Sequence, residues 1–246
     1  MCRSECGCTP YFLDSSASVI SSRIASSATR ALNSGEWFFR FVILDRHFHH
    51  AIHLNSRSEF PRSPLYRVVQ RVMRAVLPHL RAQGRGTVFY TSSLIGRIAT
   101  PFYGTYCASK WALEAMVECY RTELSVFGIE SCIIEPGAMP TAFFDGMVRP
   151  DDPTREAQYG DFAAVPARSA QGLAQMLEAT PDQRPERIAE AVVSLLDMPF
   201  GQKPFRTVVD HTGVGPEIER YNTVLHDVTR TVLTNFGIQE MLHLNA

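Results

Sequence analysis

The stretch TSSLIGRIATPFYGTYCASK, residues 91–110, governs how this chain is understood. Tyr106 and Lys110 lie four residues apart, and on a helix that spacing puts both side chains on one face, one turn from each other. A free tyrosine has a pKa near about 10 and is a poor base at neutral pH. An ammonium beside it favours the phenolate, so the pair is expected to exchange a proton more readily than tyrosine alone. Ser93 ends the apolar run GTVFYTSS, residues 86–93, which reads as a buried strand. Its hydroxyl is expected at the carboxyl end of that strand, where open α/β sheets place their ligands.

On either side of this stretch, helical and strand patterns alternate. Leu65, Val68, Val69, Val72, Val76 and Leu80 recur at helical spacing before the Gly84–Gly86 turn. The Tyr106 helix is expected to run to about Phe127, with Gly128 capping it. Residues 129–135 (IESCIIE) read as the next parallel strand. A helix follows at Pro185–Asp197, with proline suited to its first turn, and a last strand at Phe205–Asp210. Residues 217–244 carry apolar positions at helical spacing and are expected to pack over the connection before them or over a partner subunit. That connection, Gly137 to about Gln183, is long for a compact domain, and long connections are usually functional. The order of elements is that of an α/β protein with a parallel sheet.

Three motifs, SSLIG (92–96), YCASKWALE (106–114) and IIEPGAMPT (133–141), resemble the serine segment, the tyrosine–lysine helix and the Pro-Gly loop of the short-chain dehydrogenase/reductase family. The resemblance runs from about Leu65 to about Asp210. It implies one Rossmann-like domain, residues 1–246, built on a doubly wound parallel sheet. Residues 64–210 would be the catalytic core, 138–184 the substrate lid and 211–246 a helical tail. It implies a hydride transfer between NAD or NADP and a small apolar alcohol or ketone. Tyr106 would be the general acid/base. Lys110 would hold the nicotinamide ribose and Ser93 the substrate oxygen, while Pro136, Gly137 and Thr141 would border the nicotinamide. A homo-oligomer paired through the Leu65 and Tyr106 helices is the expected assembly.

The first 63 residues depart from that pattern. They contain no G-x-x-x-G-x-G, whose glycines let a pyrophosphate approach a helix N-terminus. SVISSRIASSATRAL, residues 18–32, keeps the outline, with Val19, Arg23 and Ala25 where glycines belong. Ser21, Ser22 and Arg23 would then supply hydroxyl and guanidinium donors in place of bare amides. WFFRFVILD, residues 37–45, reads as a strand that puts Asp45 where an acidic residue binds the adenine ribose, while Arg46 suits a 2′-phosphate. The helix at Leu65 lacks the family's asparagine. This half is therefore expected to be a shortened, degenerate cofactor-binding half. The alternative it raises is a non-catalytic relative acting as scaffold or partner subunit.

Composition sets the remaining bounds. A net charge of -1 gives no electrostatic case for nucleic acid or an anionic membrane. No apolar run approaches the ~20 residues of a membrane span. The start carries no secretory pattern, so the expected location is cytoplasmic. Cys107, Cys119 and Cys132 are expected as reduced core thiols. The Cys2, Cys6 and Cys8 group, and His47, His49, His50 and His53, lack the spacing of a metal site.

Overall fold

Leu65–Gln83 forms helix α1 because its apolar residues recur every three to four positions. Val69, Val72, Met73, Val76 and Leu80 make one buried stripe, and Arg71, Arg74 and His79 face solvent. In the computed structural model the described residues are 65–145 and 152–244. The readings placed on Ser21, Ser22, Arg23 and Asp45, on residues 1–63 as a cofactor-binding half, and on the amino-terminal Cys and His groups lie outside them.

Strand β1, Gly86–Thr91, follows α1, and a single 3-10 turn, Leu94–Gly96, leads from it into helix α2, Gly104–Ser125. Gly128, at φ 68°, ends that helix as expected and donates to the Ser125 carbonyl. Strand β2 is Ile129–Pro136. The short helix α3, Pro153–Ala157, and the longer α4, Val165–Glu178, come next, then α5, Glu186–Asp197. Strand β3, Arg206–Val209, and helix α6, Gly215–Asn235, complete the order.

The three described strands are parallel, in the order β1-β2-β3, with Val88 opposite Ser131, Tyr90 opposite Ile133, and Pro136 opposite Val209. Strand alternation sorts the core into two layers. Val88, Tyr90, Ile129 and Ile133 pack with α1 and α2 on one face. Phe89, Cys132, Ile134 and Val209 pack with Ile188 and Leu195 of α5 on the other. All eight residues of β2 are buried, as a central parallel strand covered by helices on both sides requires.

Two expectations need correction. The tail helix α6 packs beside β3 and sends Asn222 into the sheet's polar end, so its anchor is the core rather than the lid. Cys119 is exposed, because it lies off the buried 107–110–114–117 stripe of α2, whereas Cys107 and Cys132 are buried thiols. Among the described residues, no helix is long and apolar enough to cross a membrane.

Candidate active site

Helix α2 turns Cys107, Lys110, Leu113, Glu114 and Val117 toward the sheet. A lysine and a glutamate therefore occupy positions that periodicity assigns to the core. Lys110 is 3% exposed, and its Nζ donates to the Thr91 carbonyl at the end of β1, at 3.1 Å. Burial pushes its pKa down to about 8, with the Glu114 charge acting in the opposite sense. The ammonium lies 5.6 Å from the centre of the Tyr106 ring.

Ser93 caps the 3-10 turn, accepting from the Ile95 N–H, and its hydroxyl donates to the Pro136 carbonyl at 3.4 Å. That bond ties the end of β1 to the end of β2. The Ser93 hydroxyl also faces the Tyr106 phenol and acts to lower its pKa. Burial is the larger effect and pushes Tyr106 up to about 12. The sequence leads one to expect the opposite, a phenol eased toward phenolate by Lys110. Desolvation outweighs the ammonium here, and the resting tyrosine is protonated.

Ser93, Tyr106, Lys110 and Pro136 thus come together at the carboxyl ends of β1 and β2. Gly137 follows on the same edge, its N–H bonded to the Val209 carbonyl. A Cβ there would collide with Asp210 Oδ1 and come within 2.8 Å of Gln183 Nε2. The glycine therefore serves the join between β2 and β3. Thr141 Oγ1 accepts from the Phe143 N–H, and Phe143 packs on Tyr106 with ring centres 5.6 Å apart. Beyond Phe143 and Phe144, a cavity of about 560 Å³ is lined by Tyr103, Pro140, Thr141, Phe144, Leu173 and Leu177, with Asp145 and Glu178 among its acidic groups. The fourteen-residue α4 forms one wall.

Three features at this edge escape motif reading. Gln183, 1% exposed, donates to the Ala138 carbonyl at 2.7 Å and accepts from the His211 N–H at 2.6 Å, pinning both ends of the lid. Asp210 accepts from the Val214 and Gly215 N–H groups and so caps α6. Behind Lys110 lies a buried cluster of ions. Arg206 pairs with Glu114 at 3.1 Å, with Glu135 at 3.2 Å and with Glu118. Arg97 lies 3.8 Å from Glu114 and 3.9 Å from Glu135, and Asn222 bridges Arg97 to Glu135. The one signal of this cluster in the sequence is that Glu114 and Glu135 each interrupt a buried apolar run.

Burial and the Glu114 carboxylate raise Glu135 to about 7, well above the usual carboxylate range, against the pull of Arg206. A carboxyl whose pKa is higher folded than unfolded binds its proton more tightly when folded. Its stabilisation is full below the ordinary value near about 4.5 and is lost as pH rises through about 7. Urea unfolding of the wild type is therefore expected to lose stability over that window relative to Glu135→Gln. Parallel pH curves for the two proteins would show that Glu135 does not titrate there.

The nicotinamide end of a dinucleotide suits this donor set: a buried ammonium, a phenol and a hydroxyl meeting where two parallel strands end. The phosphate-binding turn expected at residues 18–32 lies outside the described residues.

Residues 66–151 match the family model described as short chain dehydrogenase. The chain is 32% identical over 129 residues to 17-beta-hydroxysteroid dehydrogenase type 1 of Mus musculus, covering 52% of this chain and 37% of that protein. It is 43% identical over 82 residues to the uncharacterized oxidoreductase YbbO of Escherichia coli strain K12, covering 33% and 29%. The chain thus spans 37% and 29% of the length of these relatives, about a third. A short-chain dehydrogenase structure from Streptomyces avermitilis superposes with a TM-score of 0.43 at 28% identity, over 68% of this chain and 56% of that one.

Proposed function

We propose, for a chain whose residues 66–151 belong to the short-chain dehydrogenase family, that it is an NAD(P)-dependent oxidoreductase acting on a small apolar ketone or alcohol, with Tyr106 as its proton-transferring residue. The observation that carries this reading is the meeting of Ser93, Tyr106 and Lys110 at the carboxyl ends of β1 and β2, with the Lys110 ammonium 5.6 Å from the Tyr106 ring. When bound, NADH or NADPH would supply the hydride. Ser93 donates to the substrate oxygen and polarises the carbonyl. As charge develops on that oxygen, Tyr106 gives up its proton to it. An alkoxide is a stronger base than a phenolate, so a phenol held protonated is still competent as a donor. This favours the reductive direction.

Lys110 binds the nicotinamide ribose and places positive charge beneath the phenolate that forms. Pro136, Gly137 and Thr141 border the nicotinamide, and the apolar cavity beside Phe144 takes the substrate's hydrocarbon. On the same reading, Ser21, Ser22 and Arg23 hold the pyrophosphate and Asp45 the adenine ribose. The protein works in the cytoplasm, consistent with free Cys107, Cys119 and Cys132. It pairs with a second copy through α1 and α2, where Trp111 is 43% exposed.

Titration with NADPH and NADH, followed by cofactor fluorescence, tests the reading. Saturable binding of one of them is expected. No binding at roughly millimolar cofactor would leave the non-catalytic partner protein as the better description.

A further inference from the structure

Among the 24 basic residues of the whole chain only two, Lys110 and Lys203, are lysines. Both are buried against a carboxylate. Lys203 pairs directly with Glu130 at 3.1 Å. Lys110 has Glu114 one turn along the same buried stripe, 1% exposed. The two oxygens of Glu114 differ. Oε2 takes Arg206 at 3.1 Å and Arg97 at 3.8 Å, while Oε1 is buried with no hydrogen-bond partner among the described residues.

The loop that carries Ser93 lies directly on this pair. A Cβ at Gly96 would stand 2.7 Å from Ser92 Oγ, 3.3 Å from Glu114 Cγ and 3.4 Å from Lys110 Cβ. Glycine at 96 lets the serine loop and the Lys110–Glu114 face of α2 meet at backbone distance.

We propose that Glu114 is a positioning residue that keeps Lys110 charged beneath the reacting phenol, and that the arginines on its Oε2 limit how strongly it does so. This rests on the assignment of Lys110 to the redox site. An ammonium this buried sheds its proton unless a negative charge sits near it. Glu114 is that charge. The groups facing the pair are Tyr106 and Glu118 from α2, Arg97 from the serine loop, Glu135 from β2 and Arg206 from β3. Burial and Glu114 raise Glu135, so it carries less charge than an ordinary carboxylate. The ammonium therefore depends on Glu114, while Arg97 and Arg206 compete with it for the same carboxylate.

With two lysines, the full-length protein labelled with ¹³C,¹⁵N-lysine gives two side-chain signals, assigned through Lys203→Arg. In the wild type, Lys110 is expected to titrate near about 8. Glu114→Gln is expected to lower that midpoint by about one pH unit. Arg97→Gln is expected to raise it, because a competing positive charge is gone. Lys203 should hold its midpoint in both variants. A site that merely loosened would move Lys110 upward, toward the ordinary lysine value, in both. Movement in the same direction, or no movement, overturns the proposal. So does a wild-type Lys110 that titrates near about 10.4. Should Glu114→Gln not fold, the wild-type midpoint and the Arg97→Gln shift decide. The titration needs neither cofactor nor substrate. A protein that binds no NAD(P) therefore still shows whether Glu114 sets the Lys110 midpoint, independently of whether the redox reading stands.

Discussion

Tyr106→Phe is expected to lower kcat for reduction of an apolar ketone by about 10²–10⁴-fold, the range general acid–base catalysis contributes, while cofactor affinity stays within about twofold. The change is confined to one atom. Removing the hydroxyl deletes the proton that the proposed reaction transfers to the substrate oxygen. It leaves the ring in place against Phe143, 5.6 Å between centres, and leaves the Lys110 bond to the Thr91 carbonyl untouched. KM should therefore change little, and the loss should appear in kcat and kcat/KM alike, as for an interaction made in the transition state. Steady-state kinetics beside a cofactor titration on the same preparation make the test. Turnover at the wild-type rate would remove Tyr106 from the chemistry, and a parallel collapse of cofactor binding would mean the residue shapes the fold instead.

Arg206→Met should cost about 3–5 kcal/mol of unfolding free energy. Arg206 is 8% exposed and serves Glu114, Glu135 and Glu118. Methionine fills much of the same volume but leaves Glu114 and Glu135, almost completely buried, with Arg97 as the remaining cation near both. Breaking a buried ion cluster by removing one member strands charge, which is why the cost exceeds the worth of any single pair. The loss should also deepen as pH rises through about 7, since Glu135 then ionises without that partner. Urea unfolding at two pH values measures it. A change below about 1 kcal/mol, the worth of an exposed pair, would show that solvent reaches the cluster.

The fold of residues 65–209 could be read from local pattern because its elements are strongly periodic. The α1 stripe, the apolar Cys132–Ile134 centre of β2 and the glycine ending α2 each state their structure within a few residues. The lid was harder: its length signalled function, but its fourteen-residue α4 has a weaker apolar face and is mostly exposed. The tail helix was legible as a helix and misread in its docking. Its buried anchor, Asn222, is polar, and polar residues give no periodic signal.

At the site the division follows the range of the interaction. Residue order alone sufficed to put Tyr106 and Lys110 on one helix face and Ser93 at the end of a strand, since 3.6-residue and two-residue periods act over one turn or one pleat. Three outcomes needed the folded chain: the Ser93 hydroxyl meets the phenol, burial raises Tyr106 where a neighbouring ammonium suggested lowering, and Arg206 reaches back 92 positions to Glu114. Those outcomes depend on the parallel register of β2 and β3, which sets side chains distant in the chain beside one another, and on the removal of water from the space between them, which no local spacing encodes.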